Sequence, residues 1–282
     1  MGPGKKGTCR EYASVEERAV SLAHRMLAGA GEASVVAYRL DGHPALTSVA
    51  HGLTRHGELV LATSVDPEVV DPGLLVVGEP LDVRMDITKV APEPGMRIVS
   101  ASAHLLASLE WVDPLDASLL MGTGELPELV TAVACAPGGR LAVLDVARVV
   151  LHDGTGATPL TLGCIQEHRR RGGGRAERVQ ELESTALDVV MGVDRVDLAT
   201  MCDAAEQGWM PAHLLTQRPT TGGCAHTLER DFVVDVDVTG VTVLRHGARV
   251  TSVYFMPFPR PDADAGNLAE AVRSLLGAHV TA

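Results

Sequence analysis

Aromatic residues and excess positive charge are what this 282-residue sequence most clearly lacks. Only 3% of the residues are Phe, Trp or Tyr, so few rings are offered to stack on nucleic-acid bases or on an isoalloxazine. The 24 Lys and Arg residues are outnumbered by 36 Asp and Glu, which gives a net charge of −12. Because phosphate neutralisation needs clustered cations, we expect no nucleic-acid partner.

Long apolar runs and a disulfide framework are also missing. No stretch of about 18 apolar residues occurs, and the opening residues MGPGKKGTCREYAS have no apolar signal core, so we expect no membrane partner. Five cysteines are an odd number in a long chain, which argues against a secreted disulfide scaffold. A cytoplasmic protein is the expectation.

The first organised stretch runs from Val35 to Ser64. It holds three apolar, β-branched runs, separated by Asp41–Pro44 and by Thr54–Gly57. Turn residues of this kind between short apolar runs predict a three-stranded antiparallel meander. Because such a meander has an apolar face and unpaired edges, the rest of the chain must supply more strands.

Three further strands are predicted. Residues 81–90 alternate strictly between apolar and polar side chains, which is the period of a half-exposed strand. Residues 96–112 and 140–152 are the other two, with a helical or loop section at 114–136 between them. Six antiparallel strands with short helices at the joints favour a closed barrel, since closure removes the edges; a sandwich is the alternative.

The remaining sequence predicts one helix before the barrel strands, one helix after them, and a smaller α+β part at the end of the chain. A capping box at Ser14–Glu17 begins the first helix, which Gly29–Gly31 end. The later segments are a helix at 176–191, a loop-rich stretch at 208–230, strands at 232–238, 241–245 and 250–256, and a helix at 265–277. The predicted fold class is α+β: a flexible leader (1–13), a six-stranded antiparallel split β-barrel (14–157) and a C-terminal α+β domain (158–282).

This order of elements resembles the pyridoxamine-phosphate-oxidase-like, FMN-binding split barrel, and more narrowly its haem-utilisation branch, in which a small α+β domain follows the barrel. The resemblance spans residues 14–277 and is carried by three segments: 97–106, 144–154 and 249–259. It implies a homodimer with haem or a small-molecule ligand at the subunit interface. Members bind FMN, the deazaflavin F420 or haem, and some are non-catalytic regulatory or partner-binding proteins.

Two departures from the family narrow the choice of cofactor. Flavin-binding members place a basic residue after the third barrel strand, whereas Val65–Asp71 holds three acids and no Lys or Arg, which disfavours a flavin phosphate. The Asn-x-Asp-His-like group of the small domain is also absent, because the comparable helix reads Arg178–Leu187. If the haem contact of the small domain depends on that group, this protein must ligate haem elsewhere or not at all.

The residues predicted to bind the cofactor are histidines, because haem iron accepts a neutral imidazole nitrogen. The alternative axial-ligand candidates are His51 on the second strand, His104 on the long strand and His279 near the carboxyl terminus, with His51 assigned to the iron. The competing interpretations are strand histidines with hydrogen-bond partners and, for His279, a frayed end.

A set of cysteines and histidines is a second candidate, since these are zinc-ligand types. It consists of Cys164, His168, Cys202, Cys224 and His226, but the spacing matches no standard zinc motif. Buried small hydrophobes are the competing interpretation, and Cys224 is the best candidate for a thiolate ligand to haem.

The predicted function is a haem-binding split-barrel protein that acts as a haem-dependent or haem-degrading oxidoreductase. The alternatives are an F420- or FMN-dependent oxidoreductase using the same pocket, and a non-catalytic scaffold.

Overall fold

The computed structural model describes residues 12–65, 71–94, 96–171, 176–222, 226–259 and 266–277. Contacts divide the chain into two compact units. The barrel unit comprises Ala19–Ala91 and Gly95–Ser184; the smaller unit comprises Thr185–Ala282, Pro92–Pro94 and the residues up to Arg18. The domain boundaries given above stay a prediction, since contacts do not test which segments fold independently.

The elements before residue 192 alternate barrel strands with helices at their joints. They are α1 (Val15–Leu27), β1 (Glu32–Val36), β2 (Ala45–Leu53), β3 (Leu59–Ser64), a 3-10 turn (Pro72–Leu75), β4 (Leu81–Val90), β5 (Val99–Trp111), α2 (Pro114–Thr123), α3 (Glu128–Ala134), β6 (Gly139–Asp153), β7 (Gly156–Leu160), α4 (Leu162–Arg171) and α5 (Ala176–Met191).

The first sheet closes on itself. Its strand order is β3-β2-β1-β4-β5-β6-β7, and β3 also pairs with β6, so β1 to β6 form a closed antiparallel barrel with β7 as an added hairpin strand. Alternate residues of the long strands face inward, where Leu59, Met85 and Leu105 are fully buried in one core. The predicted six-stranded barrel with a smaller α+β part is confirmed.

Local signals set the ends of α1 and its exit into the barrel. Ser14 and Glu17 form the predicted capping box: the Ser14 N–H donates to Glu17 Oε2 at 2.8 Å, and the Glu17 N–H donates to Ser14 Oγ at 3.1 Å. The helix ends before Gly29, which has a φ of +115°. At Gly31 (φ +106°) a Cβ would come within 2.7 Å of the Thr88 carbonyl oxygen, so only glycine lets β1 approach β4 here.

The smaller unit contains one helix and one strand that the sequence patterns did not predict. Its elements after residue 191 are α6 (Arg195–Glu206), β8 (His213–Pro219), β9 (Arg230–Asp237), β10 (Gly240–His246), β11 (Val250–Pro257) and α7 (Leu268–Gly277). The prediction of a loop over 208–230 is wrong where β8 lies. That strand is an edge of the β8-β11-β10-β9 sheet and is mostly exposed, so it lacks the apolar alternation of a half-buried strand.

In the described part of the chain, no helix is both long enough and apolar enough to cross a membrane.

A buried ion cluster joins α5 to the barrel unit. Glu183 of α5 accepts from Arg25 Nη1 at 2.6 Å and from Lys89 Nζ at 2.5 Å. The side chains of Arg25 and Lys89 are only 2% and 6% exposed, whereas that of Glu183 is 25% exposed. Removing one member of such a cluster destabilises the folded protein by more than the intact cluster stabilises it, because the remaining charges stay out of water.

We expect Glu183→Gln to lower the free energy of unfolding by about 2 kcal/mol, since Arg25 and Lys89 stay buried without this carboxylate. Urea unfolding followed by circular dichroism measures the change. Glu181→Gln is the matched control, because Glu181 is an exposed acid on the same helix. Equal unfolding midpoints for the two variants would contradict the role given to the cluster.

Candidate functional site

The candidate site lies on the outer wall of the barrel, where β4 and β5 pair. Because side chains alternate along a strand, burying Met85, Ile87 and Leu105 in the core places Asp86 and His104 on the outside. The register sets these two residues directly opposite each other. Cross-strand partners have Cβ atoms about 5 Å apart, which is within reach of a hydrogen bond between the two side chains.

Asp86 and His104 form a hydrogen-bonded pair. His104 Nδ1 lies 2.5 Å from Asp86 Oδ1, and Arg84 Nε donates to Asp86 Oδ2 at 2.9 Å. A carboxylate only accepts, so Nδ1 carries a proton. In the neutral imidazole the lone pair is then on Nε2, which has no hydrogen-bond partner among the described residues. The His104 side chain is 44% exposed, so this nitrogen is open to a ligand.

A second imidazole lies beside this pair. His152 of β6 is opposite Ser102 on β5, which puts it diagonally across from His104. The two rings have their centroids 4.9 Å apart and an angle of 79° between their planes. His152 is exposed, so two imidazoles share one open patch of the outer wall.

A groove adjoins the patch on the side of β1 and β2. It has a volume of about 540 Å³ and is lined by residues of β1, β2 and β4, including Asp86 and Thr88. Arg97 also lines it and forms an exposed ion pair with Glu32 at 3.0 Å. Asp86 therefore contributes both to the groove and to the orientation of His104.

The structure places His51 inside the barrel unit. It is 4% exposed, and its Nε2–H donates to the Met26 carbonyl at 2.7 Å. Burial lowers the pKa of His51, and the hydrogen bond to Met26 opposes this shift in part. The nitrogen that would reach iron is engaged within the core, and the assignment of His51 to iron stays a prediction.

His24 is a second buried imidazole. It is 7% exposed, and its ring centroid lies 5.9 Å from that of His168. Burial, with the neighbouring charges of His168 and Arg169, lowers the pKa of His24 from 6.5 to about 4. Both buried histidines are neutral at pH 7 and act as parts of the core.

The structure describes only some of the other predicted ligands. His279 and Cys224 lie outside the described residues. Cys164 is exposed, and Cys202 is completely buried, with burial raising the pKa of its thiol. Within the described ranges, no group of three or more His, Cys, Asp or Glu side chains could hold a metal ion.

The acidic loop after β3 can be followed only at its ends. Residues 66–70 lie outside the described part, and the Asp71 carboxylate accepts from the Gly73 N–H at 2.8 Å as the cap of the 3-10 turn. Asp71 therefore has a structural role, while the expected repulsion of a flavin phosphate stays a prediction.

Asp86 and His152 are site residues that the sequence reasoning missed. The strict alternation of residues 81–90 does place Asp86 on the outer face, and His152 lies within the predicted sixth strand. Their proximity to His104 depends on the register of β4, β5 and β6. That register includes irregularities between Lys89 and Val90 and between Leu106 and Ala107.

No protein-family model and no curated protein matches this sequence. Among solved structures, it is similar to a heme binding protein from Mycobacterium smegmatis, at 15% identity and a TM-score of 0.48 over 93% of this chain and 98% of that one. An FAD and heme binding protein from the same organism gives 20% identity and a TM-score of 0.30 over 50% and 82% of the two chains. A protein of unknown function from Agrobacterium tumefaciens gives 11% identity and a TM-score of 0.38 over 94% of this chain and 97% of that one. Since these TM-scores lie below 0.5, the similarities carry no argument about function.

We expect the buried His24 to make the protein less stable as the pH falls from about 6.5 to about 4. In this range the unfolded chain binds a proton at this position and the folded chain does not. Titration of His24 therefore lowers the free energy of unfolding by up to about 3 kcal/mol. Urea unfolding across this pH range measures it, and His24→Leu should remove this part of the slope. His56→Ala is the matched control, because it removes an imidazole whose side chain is 70% exposed. A His24→Leu slope equal to that of the wild type would refute the prediction.

Proposed function

We propose that this protein binds haem on the outer wall of its barrel, with His104 as the axial ligand, and acts as a haem-dependent or haem-degrading oxidoreductase. The observation that carries the proposal is the hydrogen bond of 2.5 Å between His104 Nδ1 and Asp86 Oδ1. It leaves Nε2 as the coordinating nitrogen of a partly exposed imidazole. The family resemblance of the sequence supports the same cofactor.

The donor set fits haem iron. A neutral imidazole is a common axial ligand, and histidines that bind metals usually donate their other N–H to a carboxylate or carbonyl. Asp86 provides that carboxylate, and Arg84 holds its second oxygen at 2.9 Å. His51 fits less well as the ligand, because its Nε2 donates to the Met26 carbonyl inside the core.

The surroundings of His104 also suit an amphipathic macrocycle. Leu106, two residues further along the outer face of β5, is 42% exposed, and Val150 lies directly opposite His104 on β6. These side chains offer an apolar surface beside the ligand. Arg84 and Arg97 are 54% and 63% exposed, and their guanidinium groups are suited to bind the two propionates.

The Asp86–His104 pair would set the chemistry of the bound group. Haem, when bound, supplies an iron that can exchange electrons and react with oxygen or peroxide. By accepting the Nδ1 proton, the Asp86 carboxylate fixes the tautomer and ring orientation of His104, so Nε2 is the nitrogen that would hold the iron.

Homodimerisation is part of the proposal. The outer wall that carries His104 is open in a single chain, and Leu106 is apolar and exposed there. A second copy covering this wall would remove Leu106 from water and exclude solvent from the ligand. Size-exclusion chromatography with light scattering measures the mass in solution, and a monomer at micromolar concentration would contradict this part of the proposal.

We expect the purified protein to bind haem with a Soret band that shifts on titration, and His104→Ala to lose the shifted band. Asp86→Asn should weaken haem binding about tenfold or more, because a carboxylate that accepts the other N–H of a metal-binding histidine typically contributes that much to metal affinity. Absorption titration with haem measures both effects. His56→Ala is the matched control, since it removes an exposed imidazole that also lies near a carboxylate, Glu125 at 3.4 Å.

The remaining candidates are outcomes of the same titration. Loss of the band in His51→Ala or His279→Ala but not in His104→Ala would move the ligand to that residue. No shift in any form of the protein would refute haem binding. Saturable binding of FMN or F420 by such a protein would then favour the flavin or deazaflavin alternative. A protein that binds none of the three would favour the regulatory, partner-binding alternative.

A further inference from the structure

We infer that His104 and His152 together form a binding site for a divalent transition-metal ion such as Zn²⁺ or Cu²⁺. This site goes beyond the proposed haem function and does not depend on it. The two residues stand on the adjacent strands β5 and β6, on the outer wall of the barrel, and both rings are accessible to solvent. The barrel holds the two strands in place, so binding an ion here would not require the backbone to lose further conformational entropy.

The separation of the rings matches a shared ion. A zinc–nitrogen bond is about 2.1 Å long, and two imidazoles bound to one ion at a tetrahedral angle therefore have their centroids about 5 Å apart. The observed centroid separation of His104 and His152 is 4.9 Å, with 79° between the ring planes. The two rings therefore lie at the separation that one shared ion requires.

Asp86 strengthens this assignment independently of the ring geometry. Its Oδ1 accepts from His104 Nδ1 at 2.5 Å, so the nitrogen left to coordinate is Nε2. The arrangement is carboxylate, histidine and ion, which recurs at zinc sites in proteins. The net charge of −12 also favours the approach of a cation over that of an anion.

The site is open. In the described part of the chain no group of three or more His, Cys, Asp or Glu side chains could hold an ion, so this site offers the two imidazoles as its protein ligands. Borderline ions that prefer nitrogen ligands fit this site, whereas Mg²⁺ and Ca²⁺, which require oxygen ligands, do not. Because His104 Nε2 serves both the ion and the proposed haem, the two ligands exclude each other.

The test is a calorimetric titration of the haem-free protein with ZnCl₂ at neutral pH, followed by a titration with MgCl₂. We expect one saturable site for Zn²⁺ and none for Mg²⁺. His104→Gln and His152→Gln should each abolish the Zn²⁺ isotherm, and Asp86→Asn should weaken it about tenfold. His56→Gln is the matched control and should bind as the wild type does, since it removes an exposed imidazole elsewhere. Circular dichroism of each variant verifies that the fold is intact.

Two results would overturn the inference: a wild-type protein without a saturable Zn²⁺ isotherm, or an unchanged isotherm in either His104→Gln or His152→Gln. The outcome is distinguishable from that of the haem proposal, because His152→Gln removes an ion ligand and leaves the proposed haem ligand His104 in place. A protein that binds Zn²⁺ but gives no Soret shift would support the ion site and refute haem binding.

Discussion

The pairing of β3 with β6 is the constraint on which the barrel unit depends. Six residue pairs, from Leu59 with Leu144 to Ser64 with Gly139, join β3, the last strand of the meander, to β6. Once this ladder forms, every residue of β1 to β6 has either an inner or an outer position. Small and branched apolar side chains fill the inside, and polar side chains such as Asp86 are left on the outer wall.

Inner and outer positions also give the histidines different surroundings. His24 and His51 lie within the core, where burial keeps their imidazoles neutral and a backbone carbonyl engages His51. His104 and His152 lie outside, where a carboxylate sets the tautomer of one ring and solvent reaches both. A histidine in one of these strands is therefore buried in the core or exposed on the outer wall according to one step of the pleat.

The sequence was sufficient to predict most of the barrel and only part of its site. The alternation of residues 81–90 comes from local physics and is confirmed by β4. The first strand of the meander is β1 (Glu32–Val36), so the predicted run is wrong over residues 37–40. The edge strand β8 escaped prediction because its neighbours in the sheet, rather than its own apolar pattern, hold it in place. His104 was identified as a candidate, but its partner Asp86 required the register between two strands, which the irregularity beside Val90 shifts.

The short strand β7 has a consequence for how the molecule behaves at high concentration. It pairs with β6 along one side and ends the sheet order, so its other edge offers backbone groups to any extended chain. Pro159, opposite Val150, lacks an N–H and cannot donate to an added strand. With only five residues, β7 is also too short to be a good template. The one strand that closure leaves at an edge of this sheet is thus poorly suited to start edge-to-edge aggregation.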